Sequence, residues 1–350
     1  MSPPIRLRLL TPRDLAFAEV VRAAAGWNQT PADWRRFLEL EPSGCFLAEW
    51  EGAPAGTATT LVHGPELAWI GMVLVHPDYR RRGIGRALLE HCLGHLQARG
   101  VQCIKLDATP LGQPVYERLG FRAEWTLARW ERAGQSSRVG WDAERAGHEA
   151  GRARLLPSRL TLHHAPTRQE IPADPGRPGT CGSEPLSVRR HSWPGQWDDG
   201  SAGASPYRTR VHWQPRPTAW GSLDATAFGV ARQRLLDALE RPGSTARAIE
   251  AADGTVAAFG LSRPGSRARY LGPVVATSPE AGLAAIEALL AEHPEEAVFR
   301  DIPEPNEAAV AWAGAHGFQR QRPLTRMYLG ENLNPGDPAR QFALAGPEVG

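Results

Sequence analysis

At 350 residues the chain is long enough for two domains of ordinary size, each burying its own core. Its 40 basic and 38 acidic residues leave a formal net charge of +2, which excludes a general attraction to nucleic acid or a membrane surface, so any basic site has to be local. Four cysteines without CxxC or metal-ligand spacing point to no metal and to a reducing compartment, and no segment approaches the roughly 20 apolar residues of a membrane span, so the expected location is cytoplasmic.

Ile5-Arg6-Leu7-Arg8-Leu9 alternates apolar and charged residues and predicts a half-buried strand. Thr11-Pro12-Arg13-Asp14 and Thr30-Pro31-Ala32-Asp33 each combine an N-cap, a proline at the first helical position and a carboxylate at the third, so each opens a helix. The loop between these helices sets an aromatic beside two amides, and Trp27, Asn28 and Gln29 are candidates for lining a substrate pocket. Packing of Trp27 under its loop, with both amides solvated, fits the same residues equally well.

From Cys45 onward strands and turns alternate as an antiparallel meander over 45–50, 56–62 and 67–75. The last strand runs into Arg80-Arg81-Arg82-Gly83-Ile84-Gly85-Arg86 and then a helix carrying Ile84, Leu88, Cys92 and Leu96 at intervals of four. Amides at a helix start can face an anion, and Gly83 and Gly85 let the backbone come close to it, so the amides from Arg81 through Ile84 to Gly85 read as a pyrophosphate cradle. Arg81, Arg82 and Arg86 offer charge for the phosphates, although each reads equally as a solvated cation.

A strand over 101–106 follows, parallel to 67–75 because a crossover helix joins them, and Asp107 marks its carboxyl end. Thr109-Pro110 opens a short helix through Tyr116, and a strand over 125–130 closes a first domain at about 1–133. The stretch 134–220 is rich in Arg, Pro, Gly and Ser with no sustained period and reads as a poorly ordered linker, in which nothing explains Trp193, Trp197, Trp213 and Trp220. Over 221–350 the same order of elements returns, so the chain looks internally duplicated. The copies differ at Thr277-Ser278-Pro279-Glu280-Ala281-Gly282, which has neither the arginines nor the Gly-x-Gly, so the second copy has no cradle.

Arg80, Gly83 and Gly85, between a strand and a helix, match the [Arg/Gln]-x-x-Gly-x-[Gly/Ala] signature of the GNAT (Gcn5-related) N-acetyltransferase superfamily, which the chain resembles. Val75-His76-Pro77-Asp78-Tyr79 before the loop and Tyr116-Glu117-Arg118-Leu119-Gly120-Phe121 after the next strand reinforce the resemblance. It implies an α/β (α+β) fold with a mixed, mainly antiparallel sheet flanked by helices, present twice, the second copy being degenerate. A Rossmann fingerprint is invited by Asp107 about 20 residues beyond the glycines but needs a small residue where Leu88 stands, and Walker A lacks its Gly-Lys-Ser/Thr.

The resemblance implies acetyl-CoA as cosubstrate, one per chain, with Arg80, Gly83 and Gly85 in the cradle. By the same resemblance the backbone around Leu74 and Val75 would contact the pantetheine, and Tyr116 would assist the leaving thiolate. The family's base does not transfer, because Trp69 and Ile70 stand at its positions; Glu66 and Asp107, at strand ends, are the candidates, with His63 and His76 weaker. The expected activity is acetyl transfer to a primary amine of a small molecule or a protein amino group, and a polyamine, an amino acid or an antibiotic all remain open. The alternative is a non-catalytic acyl-CoA sensor or interaction module with this fold. A homodimer is compatible with either.

Overall fold

Alternating residues near the start form β1 (Arg6–Leu9), and the two Thr-Pro-x-Asp signatures open α1 (Leu15–Ala24), after a short 3-10 turn, and α2 (Pro31–Leu40). At both starts the aspartate closes a capping box, which satisfies amides that a helix start otherwise leaves unpaired. The meander is β2 (Cys45–Trp50), β3 (Ala53–Val62) and β4 (Leu67–Val75), followed by α3 (Ile84–Ala98), β5 (Cys103–Ala108), α4 (Gln113–Arg118) and β6 (Arg122–Arg132).

The computed structural model describes residues 5–134, 207–210 and 217–350. Most of the stretch read as a linker, with Trp193, Trp197 and Trp213, lies outside the described residues. Two elements fall within its range, β7 (Tyr207–Arg210) and the start of α5 (Pro217–Phe228), and Trp220 is buried, stacked on Phe259 with ring centroids 5.2 Å apart. The order then runs α6 (Gln233–Leu239), β8 (Thr245–Ala251), β9 (Val256–Arg263), β10 (Arg269–Ala276), α7 (Pro279–Ala291), β11 (Val298–Pro303), α8 (Glu307–Ala315), β12 (Gln319–Gly330) and β13 (Gln341–Ala343). β12 closes the second copy as β6 closes the first, whereas β7 and β13 are additions to the elements expected from the sequence.

The described strands join in one mixed, mainly antiparallel sheet, in the order β1-β2-β3-β4-β5-β12-β6-β11-β10-β9-β8-β7, with β13 paired to β10. At its centre the halves exchange strands. β12, from the second copy, pairs with β5 of the first, and β6, from the first copy, pairs with β11 of the second. The two exchanged strands then pair with each other.

Helices cover both faces. Ile84, Leu88, Cys92 and Leu96 of α3 bury one stripe against Ile70, Ile104 and Leu106 on one face of the first copy, and α7 and α8 do the same for the second. On the opposite face α1, α2, α5 and α6 share one core, in which Trp34, Phe37, Trp69, Phe228, Leu236 and Phe259 all take part. Among the described residues no helix is long and apolar enough to cross a membrane.

Candidate active site

β4 and β5 run parallel but pair only at Leu67–Cys103, Ala68–Ile104 and Trp69–Lys105. Beyond Trp69 they diverge, and a bulge at Met72, which takes a positive φ of 51°, turns the end of β4 further away. Such a split leaves the β5-facing backbone edge of β4, from Ile70 to Val75, available to an extended ligand. The split opens a cleft of about 1140 Å³.

The start of α3 forms one end of the cleft. Gly83 is its N-cap with φ 82°, a left-handed conformation that costs a non-glycine residue free energy, and no side chain caps the helix. The first amides of a 15-residue helix, together with its dipole, therefore face the cleft with no side-chain acceptor among the described residues. Gly85 packs loosely, since a Cβ there would meet only Val75 at 3.6 Å; the protein's own packing does not require this glycine, and the space suits a close ligand. Arg80, Arg81, Gly83, Ile84, Gly85 and Arg86 all line the cleft, as do Leu74 and Val75. Arg82 does not: its guanidinium lies over the rings of Trp50 and Tyr79, which draws it away from the cleft. Arg86 also donates to Glu90 at 2.7 Å.

Tyr116 lines the cleft from α4, its ring edge-on to Phe121 and its hydroxyl without a hydrogen bond among the described residues. Burial, helped by nearby Cys92, pushes its phenol up to about 12. Asp107 also lines the cleft, but both its oxygens accept from Arg326, Nε and Nη2 each at 2.9 Å. Burial raises Asp107, Arg326 opposes that, and the net direction is upward. Held by a bidentate pair, Asp107 is positioned as a partner of Arg326 and is poorly placed to take a proton from an amine. Glu66 stands exposed beside the β3–β4 turn, at the far end of β4 from the cradle, and does not line the cleft. A strand of nine residues separates it from the cradle by roughly 30 Å, which removes it as a base.

The loop 26–30 also divides. Trp27 and Gln29 line the cleft, whereas Asn28 turns the other way and is buried. Its Nδ2 donates to the Ala268 carbonyl at 2.9 Å and its Oδ1 accepts from the amides of Arg267 and Ala268, so it ties the α1–α2 loop to the β9–β10 turn. His63 is half-buried with its ring edge-on to Phe228 and lowered to about 3, mainly by desolvation, so it stays neutral; it does not line the cleft, and neither does His76.

Two charged residues of the cleft come from the second copy, Arg322 on β12 and Glu348 beyond β13. Trp69 Nε1 donates to the Pro347 carbonyl at 3.0 Å, Arg263 donates to the Ala345 carbonyl at 2.6 Å, and Arg232 donates to the Gly350 carbonyl at 2.6 Å. So held, Glu348 is 5 % exposed; its Oε2 accepts from Gln29 Nε2 at 2.8 Å and its Oε1 from Arg263 at 3.3 Å. Burial pushes Glu348 up, Arg263 resists, Asp33 adds to the push, and the carboxyl ends above its ordinary range. A buried carboxyl with a raised pKa, at a cleft, is the type of group that serves as a base. The sequence carried no signal for it: Gln29 and Glu348 lie 319 residues apart.

Among the described residues the second copy has no open counterpart. β10 and β11 likewise pair only at Arg269–Val298 and Tyr270–Phe299 before diverging, but β13 fills the split by pairing with β10 at Val274 and Val275. Phe342 lies on Gly282 at the start of α7, where an added Cβ would be 2.5 Å from the ring. α7 is capped by its own Ser278, which accepts from the Ala281 amide at 3.3 Å.

Comparison with known proteins agrees with this architecture. Residues 15–121 match the acetyltransferase (GNAT) family and residues 221–343 match an acetyltransferase (GNAT) domain. Mycothiol acetyltransferase of Thermobispora bispora is 37% identical over 98 residues, 25% of this chain and 32% of that protein. Ribosomal protein bS18-alanine N-acetyltransferase of Escherichia coli K12 is 43% identical over 87 residues, 24% of this chain and 57% of that protein. The chain thus spans about a third to a little over half of the length of these relatives. Over nearly the whole length the fold is similar to a tandem GNAT protein from the clavulanic acid biosynthesis pathway, with a TM-score of 0.55, 16% identity and coverage of 93% of this chain and 98% of that one. Two family matches in sequence order and one shared tandem fold lead to the same statement: the chain belongs to the GNAT superfamily, with two GNAT regions in tandem.

Proposed function

We propose that the protein is an N-acetyltransferase that moves an acetyl group from acetyl-CoA to a primary amine, with the first copy catalytic and the second supplying part of the acceptor pocket. The observation that carries this reading is the convergence, in one cleft, of an uncapped helix start, a free strand edge and Tyr116.

These residues fit acetyl-CoA. The α3 amides with Arg80, Arg81 and Arg86 would hold the pyrophosphate, and the free edge of β4 around Leu74 and Val75 would carry the pantetheine as an added strand. Acetyl-CoA supplies an activated thioester when bound. The chain's tasks are to bring a neutral amine to it and to assist the departing sulfur. An alkyl amine with a pKa near 10.4 costs about 4.6 kcal/mol to deprotonate at pH 7, and a base that itself has a raised pKa shortens that step. Glu348 is placed for this, directly or through one water, with Gln29 holding its orientation. Tyr116 would donate a hydrogen bond to the sulfur.

The test is a thiol-release assay with acetyl-CoA over an amine panel, paired with calorimetric titration of acetyl-CoA. Binding with a stoichiometry of one and CoA release with at least one amine is expected. Binding without release for every amine would make the protein a sensor and overturn the proposal.

A further inference from the structure

Several buried arginines around the cleft are paired with carboxylates, although Arg300, fully buried on β11, donates to the Phe342 carbonyl and leaves Nε and Nη1 without hydrogen-bond partners among the described residues. Arg36 pairs with Asp33, Arg129 with Asp301, Arg326 with Asp107, and Arg263 with Glu348. Arg322 is half-buried, lines the cleft, and likewise has no carboxylate partner among the described residues. It lies two and four positions before Leu324 and Arg326 on β12, hence on the same face, and it makes no ion pair, hydrogen bond or cation–π contact among the described residues. Its Nε is buried without a partner. The carboxylates that act on it through space, Asp301 and Glu348, are ion-paired with Arg129 and Arg263, so Arg322 has no carboxylate in direct contact among the described residues. Desolvation and the neighbouring Arg129 lower Arg322 to about 10, which still leaves it charged at neutral pH.

A second orphan sits on the same cleft. Gln29 gives its amide NH2 to Glu348, and its Oε1 is buried with no donor among the described residues. Leaving buried polar atoms such as Arg322 Nε and Gln29 Oε1 without partners is costly, so a site that keeps both is arranged for a ligand that satisfies both. The orphaned acceptor and the Glu348 carboxylate suit an ammonium; the orphaned guanidinium suits an anion, and its planar donor edge suits a carboxylate.

We propose that the acceptor is an amine that also carries a carboxylate, an amino-acid-like zwitterion, with Arg322 holding the carboxylate and Gln29 with Glu348 receiving the amino group. The proposal rests on the acetyl-transfer reading above and narrows it to a substrate class. Acetylation balances within that class: the amine nitrogen forms a bond to the acetyl carbon, the carbon–sulfur bond breaks, the amine proton leaves through Glu348, and the carboxylate is untouched.

The experiment measures CoA release with matched pairs: free amino acids, their carboxamides, and the corresponding decarboxylated amines. The expected result is a kcat/KM at least ten-fold higher for the carboxylate member of at least one pair, with that ratio collapsing in both Arg322→Met and Arg322→Gln. The rise should lie mainly in KM. Melting temperature supplies an independent readout: removing a half-buried guanidinium that has no ion pair among the described residues should leave Arg322→Met about as stable as the parent, which separates lost recognition from lost folding. Equal use of all three members, or a preference that survives both substitutions, overturns the proposal while leaving acetyl transfer standing. No CoA release with any amine overturns both.

Discussion

Tyr116 shows how far one side chain's environment sets its chemistry. With its phenol pushed up to about 12 against about 8.5 for a simple thiol, full transfer of its proton to a thiolate would be uphill by about 5 kcal/mol, so in the proposed reaction Tyr116 would act as a hydrogen-bond donor that keeps its proton. Tyr116→Phe should lower kcat ten-fold or more with acetyl-CoA affinity nearly kept, and an unchanged kcat in steady-state assays would remove the role. Glu348 makes a different prediction. Its charged form is disfavoured by burial, so its proton leaves above the usual carboxylate range near 4.3, and kcat/KM should rise with pH as it ionises. Glu348→Gln should remove that acidic limb and cost about 100-fold in turnover; a pH–rate profile identical to the parent's would exclude Glu348 as the base. At this scale the sequence was uneven. Arg80 to Gly85 was legible because its signal is contiguous. Asn28 and Gln29, adjacent and alike, could not be separated, since only the loop's packing decides that Gln29 faces the cleft and Asn28 the β9–β10 turn.

Among elements, β13 and the residues after it have two linked roles. They fill the split between β10 and β11 and then continue to the first cleft, where Glu348 is delivered. The missing Gly-x-Gly in the second copy could be read in the sequence, but the occupant of its split could not, because a strand of three residues has no detectable period. Phe342 is the anchor, 1% exposed on Gly282. Phe342→Ala should cost about 3–5 kcal/mol through loss of transfer energy and the cavity left behind. Because Glu348 lies only six residues on, kcat should fall too, with acetyl-CoA binding to the first cleft retained. Chemical denaturation and titration on the same sample check both parts; a stability loss without any change in kcat would uncouple the two roles.

For the molecule as a whole, the exchange of β6 and β12 means that neither copy completes its own sheet. A chain of residues 1–133 alone would leave β5 without β12 and β6 without either neighbour, presenting long unpaired edges. We expect this half to be insoluble or molten on its own, as judged by size-exclusion chromatography and near-UV circular dichroism; a soluble, cooperatively folded half would contradict that. The amino-acid sequence by itself determined the helix caps, the meander and the glycine-containing helix start at 83–85, since each depends on residues within a turn or two of one another, and the duplication, since the order of elements repeats. Only the tertiary structure decided that the two copies share one sheet, that β13 fills the second split, and that Arg322 and Glu348 complete the first cleft. Those contacts join residues hundreds of positions apart, and no local propensity or spacing encodes which distant strand a given edge will meet.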